Sequence, residues 1–238
     1  MAIRLFFYGQ DEPTNPKLLE AHIVKSRAIH QAGGQVVTAI TKEWNSRLDR
    51  EEPLDWVNFA LAPDLIPRDR LRPRLETYYW QVWVEAPVLH RLYSGFFLWK
   101  SGYDGIFPYV YQAFSADPPV SPYQTDVRPP NNFKVFCVTY PAQDQPVPTL
   151  QWEAIREGID DVRYLQVLEA LIQQVRSQGR DDLASRFQDE MNRILEPFGF
   201  AGREFVGGTP PAPEQFMQAR TDLIRLILRL QRVLNAER

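Results

Sequence analysis

The chain has 238 residues, 44% of them hydrophobic, with 27 basic against 30 acidic side chains and a net charge of −3. That size supports one large or two small domains around a substantial core, and the near balance of charge argues against a strongly basic nucleic-acid surface. The one cysteine, Cys137, excludes an intramolecular disulfide and a cysteine-rich metal site, and no apolar run reaches the roughly 18 residues of a membrane span.

The opening MAIRLFFYG carries one Arg and an apolar run too short for a signal peptide. The chain as given therefore reads as cytoplasmic, with export of a longer parent left open. IRLFFY (3–8) reads as a buried strand. A helix follows over 16–32, with Leu19, Ile23, Ala28 and Ile29 on one side and Gly33 and Gly34 as its stop. QVVTAI (35–40) is a strand rich in β-branched residues, WVNFALA (56–62) a third and TYYWQVWVE (77–85) a fourth. A helical segment over 87–102 leads to YDGIFPYVYQ (103–112), a fifth strand with Pro108 near a bend. Residues 113–132 form a long Pro-rich loop before FKVFCVTY (133–140), a sixth strand in which Cys137 reads as a buried, inert thiol. This alternation argues for a parallel sheet with helices outside it.

The composition changes after Pro148. A long amphipathic helix over 149–178 has Thr149 as its N-cap and an apolar stripe of Trp152, Ile155, Ile159, Val162, Leu165 and Leu168. A second helix over 181–195 repeats the pattern with Leu183, Phe187, Met191 and Ile194. After a Gly/Pro-rich break at 199–213, a last helix carries Leu223, Ile227, Leu230 and Leu234.

No Gly-rich phosphate loop, dinucleotide fingerprint, zinc-protease motif or serine-nucleophile motif occurs. The three histidines, His22, His30 and His90, lie in helical segments without metal-ligand spacing. No metal or cofactor is expected. What remains is the acid pair Asp11–Glu12 at a strand end, and the aromatics. Adjacent carboxylates repel, so such a pair is either solvated in an ordinary turn or set up for acid–base work. Parallel strands followed by helices place active sites at the strands' C-terminal ends. Asp11 and Glu12 lie at such an end, as do Trp83, Glu85, Tyr109, Tyr111 and Tyr140. Aromatic faces stack on pyranose rings and carboxylates act on the glycosidic oxygen, so acids ringed by Trp and Tyr suit a sugar-cleaving cleft. The same aromatics also serve as ordinary core.

Five pieces, in order, resemble the catalytic domain of glycoside hydrolase family 123 and its uncharacterised relatives: YGQDEP (8–13), YYWQV (78–82), GFFLWKSGYDG (95–105), VTYP (138–141) and PTLQWEAIREGIDDVRYLQVLE (148–169). The last resembles the family's post-barrel helix signature, Arg–x–Gly–Ile–x–Asp followed by Tyr–Leu. Ala142 stands where the family pattern has Gly, and Val162 replaces an aromatic. The resemblance implies an α/β fold: an incomplete (β/α) TIM-type barrel of about six parallel strands over 1–176, then an α-helical extension over 177–238. It implies cleavage of terminal β-linked N-acetylhexosamine by substrate-assisted catalysis. Asp11 would hold the acetamido nitrogen while the acetamido oxygen attacks the anomeric carbon and forms an oxazoline. Glu12 would protonate the leaving oxygen and later activate water. Tyr79 would hydrogen-bond the acetamido oxygen, and Trp80, Trp83, Glu85, Tyr109 and Tyr140 would line the substrate site. The expected partner is a carbohydrate substrate, without nucleic acid or membrane, and homo-oligomerisation is expected through open barrel edges or the last helix. Two alternatives stand beside this: a non-catalytic carbohydrate-binding relative, and an interaction module that uses the last helix as a seam.

Overall fold

The computed structural model describes residues 5–59, 74–78, 86–108, 111, 138–140, 142, 144–199, 202–203, 206–207 and 210–236. The chain divides into two compact units. One comprises Met1–Trp80 with Ser101–Tyr109, the other Gln81–Lys100 with Val110–Arg238.

The first unit is α/β. Its strands β1 (Phe6–Tyr8), β2 (Gln35–Ile40), β3 (Trp56–Phe59), β4 (Leu75–Tyr78) and β5 (Gly105–Ile106) form one parallel sheet in the order β1-β2-β3-β4-β5. Helices α1 (Pro16–Gln31) and α2 (Lys42–Glu51) fill the first two crossovers. Asn15 starts α1 by accepting the Leu18 N–H at 3.0 Å, with Pro16 pre-set for the first helical position. At the other end Gly33 takes a φ of +79°, while the N–H groups of Gly33 and Gly34 close on the carbonyls of His30 and Ile29. This is a Schellman stop, and a Cβ-bearing residue would strain it. The sequence pattern gave no hint of α2, because only Asn45 and Leu48 of it are buried.

Alternation sorts the strand residues onto two faces. Val36, Ile40, Val57 and Phe59 are buried on the face shared with Phe7. Phe6, Tyr8, Val37, Ala39, Trp56, Asn58 and Thr77 lie on the other. There, Phe6, Trp56 and Phe107 form an edge-to-face ladder with centroid spacings of 5.3 and 5.7 Å. The Trp56 indole N–H donates to Thr77 Oγ1 at 2.9 Å.

The second unit contains α3 (Pro87–Ser94), α4 (Phe96–Ser101, of which Ser101 falls in the first unit), α5 (Leu150–Ser177), α6 (Asp181–Leu195) and α7 (Pro213–Asn235), with short ribbons β6–β7 (Thr139–Tyr140, Val147–Pro148) and β8–β9 (Gly202–Arg203, Val206–Gly207). Thr149 does cap α5, accepting the Trp152 N–H at 3.2 Å. The expected apolar stripe of α5 is corrected. Ile155, Leu165 and Leu168 are buried as expected, but Trp152 and Ile159 are exposed, and the buried line also takes in Ala154, Gly158, Asp161, Ile172 and Val175. Gly158 lets α5 close on the α3–α4 turn, and Asp161 is buried as a salt-bridge hub. Its carboxylate accepts from Arg91 Nε at 2.8 Å and from Arg220 Nε at 2.7 Å. The Arg91 guanidinium also lies 4.9 Å from the Phe216 ring. The Leu223, Ile227, Leu230 and Leu234 stripe of α7 is buried, so it is not free to serve as a seam.

A second correction concerns the sixth strand. Thr139 and Tyr140 do not join the parallel sheet; they pair antiparallel with Pro148 and Val147. A nearby hairpin partner supplied the ladder bonds that the apolar run was expected to find in the sheet. Cys137 and the rest of that run lie outside the described residues. No described helix is long and apolar enough to cross a membrane.

Candidate functional site

The acid pair sits where β1 stops. The Gly9 N–H still reaches Val37 O at 3.0 Å, the last ladder bond of the strand. Gln10 is then held on three sides. Its N–H donates to His22 Nδ1 at 3.0 Å, its carbonyl accepts Thr38 Oγ1 at 2.6 Å, and its side-chain oxygen accepts Lys25 Nζ at 3.2 Å. Gly9 is required by close approach, since a Cβ there would lie 2.3 Å from His22 Cε1.

His22 is fully buried on α1, and burial, with Lys25 nearby, lowers its imidazole to about 4. The ring is therefore neutral near pH 7. With Nδ1 accepting from Gln10, Nε2 carries the proton and donates to Ser26 Oγ at 3.0 Å. This histidine buttresses the turn, both of its ring nitrogens being engaged within the protein.

Asp11 and Glu12 are both exposed. Asp11 Oδ1 accepts the Tyr8 phenol at 2.7 Å, and the same phenol oxygen accepts the Ala39 N–H at 3.2 Å. Partial burial and the Asp11 carboxylate push the Tyr8 phenol up to about 12. Glu12 has a φ of +37°, a left-handed backbone that side-chain-bearing residues rarely adopt. Pro13 is buried, and the chain then enters the Asn15 cap of α1. One carboxylate is thus tethered, and its neighbour projects from a constrained backbone.

Of the other site residues expected from the sequence, Tyr79, Trp80, Trp83, Glu85 and Tyr109 lie outside the described residues. Tyr140 is half-buried in β6, in the second unit. Tyr111 also belongs to that unit, 6.3 Å from Trp152 between ring centroids. Tyr78 and Tyr103 are core residues packed edge-to-face at 5.4 Å. Thr38 and the Phe6–Trp56–Phe107 ladder were not singled out from the sequence, Tyr8 appeared only as part of YGQDEP, and His22 only as a histidine without metal-ligand spacing.

The opposite, N-terminal end of the sheet is built differently. His30 Nδ1 meets Glu52 Oε1 at 2.6 Å and Nε2 meets Asp55 Oδ2 at 2.9 Å, while that same Asp55 oxygen accepts the Val36 N–H at 2.8 Å. Arg74 pairs with Asp49 and Glu76 nearby. Each imidazole nitrogen faces its own carboxylate, so the cluster ties α1 to the connection between α2 and β3. Among the described residues no group of three His, Cys, Asp or Glu is placed to hold a metal ion. In comparison with known proteins, the chain matches no family model, no curated protein and no solved structure.

Proposed function

We propose that the chain is a glycoside hydrolase-like protein acting on terminal β-linked N-acetylhexosamine by substrate-assisted catalysis, its first unit being an arc of a (β/α) barrel. The observation that carries the reading is the placement of Asp11 and Glu12 at the C-terminal end of β1 in an all-parallel sheet of sequential strand order. Sequential order is what a barrel arc requires; a doubly wound sheet would reverse its order at a switch point. Adjacency of the acids suits this chemistry. The substrate's acetamido oxygen supplies the nucleophile, so the two carboxylates need not flank the sugar as a nucleophile and an acid do. Asp11 holds the acetamido N–H, and Glu12 protonates the departing oxygen and then deprotonates water.

The test is hydrolysis of a chromogenic N-acetyl-β-hexosaminide by the full chain. Asp11→Asn and Glu12→Gln should each reduce kcat by about 100-fold or more, with smaller changes in ground-state binding. A substrate with a good leaving group should partly restore Glu12→Gln but not Asp11→Asn, since only the former loses leaving-group protonation. Turnover unchanged in both variants would move the chemistry off this pair.

A further inference from the structure

We infer that Tyr8 is a positioning residue for the acid pair: its phenol fixes Asp11 and makes two adjacent carboxylates inequivalent. Turn aspartates ordinarily bond the backbone of their own turn. Asp11 instead takes a side-chain donor from the last residue of the preceding strand, at 2.7 Å. The phenol cannot swing freely, because its oxygen also receives the Ala39 N–H of the neighbouring strand at 3.2 Å. Asp11 is thus indexed to β2 through Tyr8, while the Gln10 backbone is indexed to α1 and β2 through His22 and Thr38. Glu12 is indexed only through its backbone, whose φ of +37° persists because these surrounding bonds over-determine the turn.

The consequence rests on the glycosidase reading above. With Oδ1 engaged by Tyr8, Oδ2 is the oxygen left to receive an acetamido N–H, in a direction set before substrate arrives. Such preorganisation removes part of the ordering cost of the transition state. Glu12, whose side chain has no hydrogen-bond partner among the described residues, keeps the mobility a proton carrier needs.

The experiment uses the full chain with its tyrosines labelled at the ring Cζ, followed by NMR from neutral to alkaline pH. The Tyr8 signal is assigned by its loss in Tyr8→Phe. In wild type it should titrate near 12. In Asp11→Ala its neutral-pH position should move and its midpoint should fall, burial still holding it above the ordinary value of about 10. In parallel, Tyr8→Phe should weaken binding of a thiazoline analogue of N-acetylglucosamine about tenfold, the effect of one charge-assisted hydrogen bond. A Tyr8 signal indifferent to Asp11→Ala overturns the inference, as does undiminished thiazoline binding by Tyr8→Phe. If Tyr8 responds to Asp11→Ala but no form of the chain binds the thiazoline, the tether stands and the glycosidase reading fails.

Discussion

Gly158 passes so close to Ser94 that a Cβ on it would lie 2.2 Å from Ser94 Oγ and 2.7 Å from the Arg91 carbonyl. Two effects compete in Gly158→Ala. Helix propensity favours Ala by about 1 kcal/mol, whereas forcing a methyl against a backbone carbonyl costs about 1–3 kcal/mol. The Arg91 carbonyl and the Gly95 N–H are backbone groups, which cannot rotate away, so the clash prevails. The urea midpoint of Gly158→Ala should fall; a rise would show that α5 does not close on the α3–α4 turn.

Asp161 is fully buried beneath Arg91 and Arg220. Asp161→Asn removes the charge that both guanidiniums face and should destabilise the chain by about 3–5 kcal/mol. Arg229→Ala, which breaks the more exposed pair with Glu190, should cost no more than about 1 kcal/mol. Equal losses in chemical denaturation would contradict the hub role of Asp161.

His30 gives a pH dependence of defined sign. Partial burial pulls its imidazole down, but the hydrogen bonds to Glu52 and Asp55 outweigh this and leave it raised. The unfolded histidine titrates near 6.5. The stability contributed by this group is therefore fully present below about pH 6.5, and is lost as pH rises through the higher folded value. The gap in unfolding free energy between wild type and His30→Gln should be widest on the acidic side, down to where carboxylates themselves protonate at about pH 4. It should narrow toward pH 9. A gap that widens with pH would reverse the assignment.

The Gly9–His22 stacking can be tested by a double-mutant cycle. Gly9→Ala should destabilise by about 1–3 kcal/mol through overpacking. In a His22→Ala background the added methyl has room, so the same change should cost much less. A coupling energy of at least about 0.5 kcal/mol is expected. Strict additivity would show that the imidazole does not lie over Gly9.

The outer edge of β1 offers a fourth kind of measurement. Leu5 and Phe7 are 68% and 50% exposed beside a groove of about 680 Å³ lined also by Ala28, Ile29 and Gly34. Natural edges are usually guarded by charge. Self-association through this edge is expected of the wild type, and Phe7→Lys should then reduce its concentration dependence in sedimentation, with little loss of stability. Unaltered association would exonerate this edge.

The sequence declared β2 fully, because four of its six residues, Val36, Val37, Thr38 and Ile40, are β-branched and read as a strand, and it placed α6 through an unbroken amphipathic pattern. It gave α5 in part: Ile155, Leu165 and Leu168 are buried as apolar spacing implies, but Gly158 and Asp161 are buried too, and a search for apolar spacing passes over them. The acid pair was visible from a strand-to-turn boundary. Its mounting was not. The Tyr8 phenol that holds Asp11 meets the Ala39 N–H only once β1 and β2 are in register. His22 matters through its contact with Gly9 and Gln10, which no spacing of histidines reveals.

The sequential strand order also bears on how the first unit forms. Each of β2, β3 and β4 pairs with the strand made just before it, so loop-closure entropy is met one connection at a time, and the sheet can lengthen as the chain is synthesised. The connection to β5 differs, because between β4 and β5 the chain leaves for the second unit at Gln81 and returns at Ser101. Pulse-labelled hydrogen exchange during refolding should therefore protect the Ala39 and Asn58 amides before that of Phe107, which donates to Tyr78 O. In a nascent chain halted after β4, four strands would already be competent to pair while the fifth was still unmade.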